Sequence, residues 1–156
     1  MPGPDVHAPY RLLHPSRQVR TELRCLYRKL HRAIRRGIVR SCHDLADGGL
    51  WAALAESSLG GRLGASVDLD AVRTSGRCGR EAERLLFCET PSRLLVSVRA
   101  RDQARWMRAM SGAVLSRIGE VTAHEQVRVT AAGREVAAIS LGEISRAWKA
   151  EGGGAP

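Results

Sequence analysis

A histidine, two aspartates and two glycines lie close together in the segment His43-Asp44-Leu45-Ala46-Asp47-Gly48-Gly49-Leu50. A carboxylate such as that of Asp44 can bind Mg²⁺, which prefers oxygen ligands and keeps several water molecules. The imidazole of His43 can contact a phosphate or transfer a proton near neutral pH. The segment therefore indicates metal, phosphate or proton-transfer chemistry.

This segment lies where a strand is predicted to end and a helix to begin. Residues 38–42 (IVRSC) have the pattern of a short strand, and residues 50–57 (LWAALAES) have that of a helix. We expect Asp47 to cap this helix. Because Gly48 and Gly49 carry no side chains, the free N–H groups of the first turn would be open to an anion.

Each of these residues also has a purely structural interpretation. The carboxylate of Asp44 can accept hydrogen bonds from backbone amides of its own turn. For His43 we favour a partly buried ring whose nitrogens bond to the backbone. For Asp47, Gly48 and Gly49 we favour a helix cap and a tight packing site over a surface that binds an anion. The residues alone leave both interpretations open.

The rest of the chain mixes helices and strands without a strict alternation. The pattern predicts helices at 17–36, 102–110 and 141–149, and strands at 65–69, 84–88, 94–98, 118–122, 127–130 and 136–139. Residues 71–82 are polar and rich in glycine, which predicts a surface loop. This order favours an α+β fold in which helices cover a mixed β-sheet.

The domain organisation follows from composition. Residues 1–16 contain four prolines and no periodicity, so we predict a linker or extended arm. Residues 17–150 are predicted to form a single domain, and 151–156 (EGGGAP) a disordered tail.

The net charge of +9 is concentrated in one region. Residues 11–40 contain ten Arg or Lys and a single acid, Glu22, whereas residues 41–156 are close to neutral. In the predicted helix 17–36, which should stop at Gly37, one stripe is apolar: Val19, Leu23, Leu26, Leu30 and Ile34. The opposite side is basic: Arg17, Arg20, Arg24, Arg28, Arg32 and Arg35.

This basic helix makes a nucleic-acid-binding module the alternative function from a different class. The chain has few aromatic residues for stacking on bases and no RNA-recognition motif, so we do not expect nucleic acid as a partner. No run of eighteen apolar residues and no signal-peptide pattern occurs, so we expect a cytoplasmic protein without a membrane partner. The four cysteines lack metal-site spacing, and no phosphate-loop motif or catalytic triad is recognisable.

Four segments in order resemble one family. They are the helix at 27–39, the motif His-Asp-x-x-Asp-Gly-Gly-Leu, the segment Glu89-Thr90-Pro91-Ser92-Arg93 before a Leu/Val strand, and Ile118-Gly119-Glu120-Val121. Together they resemble the C-terminal domain of phosphoribosylformylglycinamidine synthase, of the aminoimidazole-ribonucleotide-synthetase-like superfamily. The resemblance covers about residues 20–148.

The resemblance implies an ATP-dependent carbon–nitrogen ligase of de novo purine biosynthesis, which converts formylglycinamide ribonucleotide to formylglycinamidine ribonucleotide. It implies Mg²⁺ and ATP as cofactors. It also implies three partners: the N-terminal domains of the same synthase, a glutaminase subunit that supplies ammonia, and a small accessory subunit. The nucleotide-binding residues of such enzymes lie largely on the N-terminal domains, so we expect the isolated chain to be inactive.

The resemblance also implies roles for individual residues. Asp44 is the candidate metal ligand, and the candidates to face nucleotide or phosphate are His43, Asp47, Gly48 and Gly49. Glu89 and Arg93 belong to the segment that touches substrate in the catalytic half of the family, although they could instead form a structural ion pair. No residue is assigned as catalytic. Three residues depart from the family pattern: Ala46, Trp51 and Pro91.

Another ATP-dependent member of the same superfamily is a further alternative. Selenophosphate, thiamine-phosphate and hydrogenase-maturation proteins commonly carry Thr-Gly-x-Gly or Thr-Glu-Gly-Gly around the paired glycines. The sequence Asp44-Leu45-Ala46-Asp47-Gly48-Gly49 is more similar to that of the purine enzyme.

Overall fold

A computed structural model describes residues 17–72, 82–89 and 91–152 of the chain. The described helices are α1 (Arg17–Arg35), α2 (Gly49–Gly61), α3 (Ala82–Phe87), α4 (Gln103–Ala109) and α5 (Leu141–Gly152). The described strands are β1 (Val39–Asp44), β2 (Gly64–Asp68), β3 (Leu94–Val98), β4 (Gly119–Thr122), β5 (Gln126–Ala131) and β6 (Arg134–Ser140). The arm predicted for residues 1–16 and most of the predicted loop at 71–82 lie outside the described residues.

The strands form two sheets. The larger sheet has the order β4-β2-β5-β6, in which β2 and β5 are parallel and the other neighbours are antiparallel. The smaller sheet pairs β1 with β3 in antiparallel register, so that His43 lies opposite Leu95 and Asp44 opposite Leu94. The predicted α+β fold with a mixed sheet and covering helices is confirmed.

Helix α2 occupies the centre of the domain and contacts α3, α5 and both sheets. Its composition suits this central place, because nearly all its residues are apolar or small and only Glu56 is charged. The buried core comprises one cluster: Leu45, Leu50, Ala53, Leu54, Ala65, Val67, Leu69, Leu85, Leu86, Val127, Val129, Leu141 and Ile144. This cluster fixes the start of α2 relative to the end of β1.

Helix α1 ends as its sequence predicts. Gly37 has a φ of +66°, its N–H donates to the carbonyl of Ile34, and the N–H of Ile38 donates to that of Ala33. This pair of hydrogen bonds is the Schellman arrangement, for which glycine is favoured at the left-handed position. The apolar stripe differs at its end, because Ala33 is fully buried whereas Ile34 is 45% exposed.

The strand predicted at residues 84–88 is wrong, because residues 82–87 form the helix α3. Leu85 and Leu86 are both buried, while Phe87 is exposed. A strand would send consecutive leucines to opposite faces, whereas one turn of helix lets both approach α2. Burial against a neighbouring helix therefore decides the local structure.

The other predicted elements lie close to their observed bounds. Strand β3 has the predicted limits, and β4, β5 and β6 differ by one or two residues at their ends. A turn at Ala132 and Gly133, which both have positive φ, joins β5 to β6. Helix α5 extends to Gly152, two residues into the tail predicted as disordered, and residues 153–156 lie outside the described part. Among the described residues, none of the helices combines the length and the apolar character needed to cross a membrane.

Helix α5 begins with a reciprocal cap. The N–H of Ser140 donates to the carboxylate of Glu143 at 2.9 Å, and the N–H of Glu143 donates to the Ser140 hydroxyl at 3.3 Å. This is the capping box expected of a Ser-x-x-Glu sequence. The Ser140 hydroxyl, followed by the Ser140 N–H, lowers the pKa of Glu143 below its ordinary value of 4.5.

We predict that Ser140→Ala lowers the free energy of unfolding by about 1 kcal/mol, because the first turn of α5 loses its cap. Since the pKa of Glu143 is lowered in the folded protein, the stabilisation is present above pH 4.5 and lost as pH falls through the folded-state pKa. Urea unfolding at pH 7 and at acid pH measures the difference. Ser111→Ala is the control, because only backbone groups of Ser111 are bonded in the described residues. Equal losses at both pH values would contradict the prediction.

Candidate functional site

The end of β1, the start of α2 and the residues Cys88, Glu89 and Arg93 meet at one corner of the domain. Strand β1 ends at Asp44, two residues beyond the predicted strand, and α2 begins at Gly49, one residue before the predicted helix, and ends at Gly61, four residues beyond it. The N–H of Leu45 donates to the carbonyl of Arg93 at 3.1 Å, which ties this corner to the start of β3. The two motifs that resemble the synthase are therefore neighbours in space.

The two glycines are required by the shape of the corner. Gly48 and Gly49 have φ values of +74° and +63°, in the left-handed region that side chains disfavour. A Cβ on Gly49 would lie 2.6 Å from the carbonyl oxygen of Leu86, and one on Gly48 would lie 2.7 Å from the Cβ of Ala52. The backbone of α3 thus fills the space at Gly49, and the side chain of Ala52 fills the space at Gly48.

The start of α2 is capped from outside the helix. Its N-cap residue is Gly48, which has no side chain, and the N–H of Gly48 donates to Oε1 of Glu89 at 2.8 Å. The prediction that Asp47 caps α2 is wrong, because the left-handed turn at Gly48 moves the cap position one residue along. The side chain of Asp47 is exposed. The N-terminus of α2 does hold an anionic group, which is the carboxylate of Glu89 from the same chain.

Arg93 caps the other helix at this corner. Its guanidinium donates to the carbonyl of Cys88 at 2.9 Å and to that of Leu85 at 3.5 Å, at the C-terminal end of α3. Within the described residues, no ion pair joins Arg93 to Glu89, so the structural pair considered from the sequence is wrong. Instead, each side chain satisfies backbone groups of a different helix end.

His43 is held by a hydrogen bond on each ring nitrogen. Nδ1 lies 2.6 Å from the carbonyl oxygen of Asp44, and Nε2 lies 2.8 Å from Oε2 of Glu56. Both partners only accept hydrogen bonds, so the ring satisfies them together when both nitrogens carry a proton. The bond to the Asp44 carbonyl raises the pKa of His43 above 6.5, burial opposes this, and Glu56 raises it further.

The favoured structural interpretation of His43 is therefore confirmed for Nδ1, which bonds to the backbone. The sequence reasoning missed Glu56. The signal was present, because Glu56 is the single charged residue of an otherwise apolar helix, and a charge in such a place usually has a partner.

The carboxylate of Asp44 faces outward. Its side chain is 71% exposed, and Oδ1 lies 3.8 Å from Nδ1 of His43. In the part of the chain that the structure describes, it accepts no hydrogen bond from the backbone of its own turn, contrary to the structural alternative. Asp44 thus presents its carboxylate to solvent, with the His43 ring beside it.

The corner fits a metal ion only in part. Among the described residues, no group of three or more His, Cys, Asp or Glu side chains could hold a metal ion. Mg²⁺ often binds through one or two carboxylates together with substrate phosphates and water. Asp44 meets the requirement for one such carboxylate, and any further ligands must come from another molecule or domain.

Comparison with known proteins adds a direct relationship. The sequence profile described as "AIR synthase related protein, C-terminal domain" matches residues 6–132. The phosphoribosylformylglycinamidine synthase subunit PurL of Prochlorococcus marinus is 34% identical over 141 residues, which cover 85% of this chain and 17% of that protein. The chain therefore spans about a sixth of the length of this relative.

Solved structures share the fold. T. maritima PurL complexed with ATP superposes with a TM-score of 0.68 at 23% identity, over 78% of this chain and 21% of that one. T. maritima PurL complexed with FGAR gives a TM-score of 0.68 at 22% identity, over 79% of this chain and 21% of that one. At these identities the likeness concerns the fold alone.

We predict that Gly49→Ala destabilises the domain by about 1–3 kcal/mol from the strained backbone alone, with the clash against Leu86 in addition. The matched control is Gly60→Ala in the last turn of the same helix, where nothing lies within 4 Å of the new Cβ. Alanine there should be neutral or stabilise by about 0.5–1 kcal/mol. Thermal unfolding of both variants measures the contrast, and equal stabilities would show that the corner tolerates a side chain.

We predict that His43 titrates above pH 6.5 in the folded chain and that Glu56→Gln lowers its pKa, because the neutral amide no longer favours the imidazolium. A raised folded-state pKa means that this stabilisation is full below the unfolded value and is lost as pH rises through the folded one. NMR titration of the His43 ring in the unaltered chain and in the Glu56→Gln variant measures the two pKa values. An unchanged pKa in the Glu56→Gln variant would contradict the assigned partner.

Proposed function

Because the chain belongs to the C-terminal domain family of the AIR synthase related proteins, we propose that it is the C-terminal domain of a phosphoribosylformylglycinamidine synthase. That enzyme is an ATP-dependent ligase of purine biosynthesis, which converts formylglycinamide ribonucleotide to formylglycinamidine ribonucleotide. The observation that carries the proposal is the match to a synthase subunit over 85% of this chain.

The corner supplies the chemical groups that such a role needs. The exposed carboxylate of Asp44 would provide one oxygen ligand for Mg²⁺, and the further oxygen ligands would come from outside the described residues. When bound, the ion neutralises phosphate charge. His43, whose two ring nitrogens bond to Glu56 and to the Asp44 carbonyl, fixes the end of β1 and with it the position of the Asp44 carboxylate.

The other candidate residues support this arrangement. Gly48 and Gly49 contribute the tight turn, since the N–H of Gly48 is bonded to Glu89 and Gly49 is buried. The exposed Asp47 faces solvent on the same corner and limits which anions approach. Glu89 and Arg93 position the turn between them, and through it the surface offered to substrate.

The partners proposed for this chain are the N-terminal domains of the synthase, a glutaminase subunit and a small accessory subunit, and its place is the cytoplasm. Support comes from the share of the relative that the chain covers, 17%, which leaves most of that enzyme's length to other domains. It also comes from the incomplete ligand set at Asp44, which requires groups from elsewhere. ATP and Mg²⁺ are the cofactors of the assembled enzyme.

We predict that the chain restores synthase activity to Prochlorococcus marinus PurL truncated before the matching region. Both proteins are produced in a bacterium that lacks its own synthase, and growth without purines is scored. Asp44→Ala should lower formation of formylglycinamidine ribonucleotide by about tenfold or more, because a metal ligand is lost. Glu120→Ala is the control, since its exposed carboxylate lies on β4, outside the corner.

The isolated chain should bind Mg·ATP too weakly to detect in a micromolar titration. Failure to restore growth, although the two proteins form a soluble complex, would contradict the proposed domain role. Micromolar binding of Mg·ATP by the chain alone would contradict its dependence on other domains.

A further inference from the structure

One side of α1 carries a row of arginines that the corner does not use. Arg24, Arg28 and Arg32, here called the arginine face, follow one another at intervals of four residues, and all three are exposed. In the described residues, none of the three forms an ion pair or a side-chain hydrogen bond. The sequence of α1 contains a single acid, Glu22, so the helix itself cannot neutralise them.

The arginine face borders a shallow groove of about 390 Å³. The groove is lined by Thr21, Arg24, Cys25, Arg28, Lys29 and Arg32, four cations and no carboxylate. Lys29 is already engaged, because its Nζ donates to the carbonyl of Ser111 at 2.6 Å and thereby joins α1 to the end of α4. The three arginines are left with their donors turned to solvent.

Keeping like charges at this spacing works against the helix. Cations four residues apart lie on the same face and repel one another. Arg24 and Arg28 lie in the middle of α1, whereas Arg32 lies in the last turn, where a cation complements the helix dipole. Among the described residues no carboxylate offsets the repulsion within the row. A partner that supplies the opposite charge explains why the row is present.

We propose that the arginine face docks an acidic α-helix of another protein domain, with carboxylates repeated every four residues. The rise of an α-helix places such residues about 6 Å apart on both partners, so that several guanidinium–carboxylate pairs form in register. The chain has few aromatic residues, 4% of its composition, for stacking on bases, which favours a protein partner over a single-stranded nucleic acid.

A second copy of this chain does not fit the same face. Two arginine faces brought together would carry charge of one sign, and the chain as a whole has a net charge of +9. Self-association through α1 is therefore disfavoured by repulsion. The complementary chemistry must come from a different, acidic surface.

The test uses the full chain and two helical peptides of identical composition, titrated by fluorescence anisotropy at about 0.1 M salt. One peptide places glutamates at every fourth residue, and the other places them at alternate residues. The first peptide should bind at least about tenfold more tightly, because only its carboxylates match the arginine row. Equal binding of the two peptides would overturn the proposal.

Substitutions in the chain show which arginines bind the peptide. Arg24→Ala/Arg28→Ala/Arg32→Ala should weaken binding of the first peptide by about tenfold or more, and alanine retains the helix. The control Arg99→Ala/Arg117→Ala/Arg134→Ala removes the same charge from exposed positions outside α1 and should change binding less than about twofold. Equal losses in the two variants would overturn the proposal, since only total charge would then matter.

Charge reversal provides a gain of function. The variant Arg24→Glu/Arg28→Glu/Arg32→Glu should no longer bind the peptide with glutamates at every fourth residue. It should instead bind a peptide in which lysines take those positions. A DNA duplex serves as the competing ligand. If it binds the unaltered chain more tightly than the matched peptide at the same salt concentration, the occupant is nucleic acid and the proposal fails.

Discussion

The hydrogen bond from the N–H of Gly48 to the carboxylate of Glu89 is the interaction on which the candidate site depends. It lets α2 begin without a side-chain cap of its own, and so permits the two left-handed glycines that bring α2 against the backbone of α3. The same short segment carries Arg93, which satisfies the carbonyls at the end of α3. Residues that lie no more than five positions apart in the sequence thereby fix the start of α2, the end of α3 and the end of β1. Asp44 and His43 owe their positions to this junction.

Most of the elements were predictable because each depends on a local pattern. Gly37 ends α1 by its own conformational freedom, and β3 follows from a run of branched apolar residues. The strand predicted at 84–88 failed because the pattern of Leu85 and Leu86 is short enough to suit either structure, and contact with α2 selected the helix. Local sequence carries no record of which neighbour a short segment will meet.

The candidate site, like the fold, was predictable only in part. His43, Asp44, Gly48 and Gly49 were singled out from spacing alone, and the structure brings them together with Glu89 and Arg93. The partners of these residues were not predictable, because the contacts join positions such as 48 and 89 or 43 and 56 that no short motif spans. Asp47 was the natural choice as a cap, and it was displaced by a carboxylate 42 residues later in the chain, at position 89. The sequence indicated which residues could take part in chemistry, whereas their hydrogen-bond partners were visible only in the structure.

The capped start of α2 has a consequence for selectivity. Phosphate ions are commonly captured by the unsatisfied amides at a helix N-terminus, and here the first of those amides is already taken by a carboxylate of the same chain. The exposed carboxylates of Asp44 and Asp47 stand close to this amide in the sequence and add negative charge to the corner. The start of α2 is therefore electrostatically satisfied from within the chain, and its first amide is not free for an external anion.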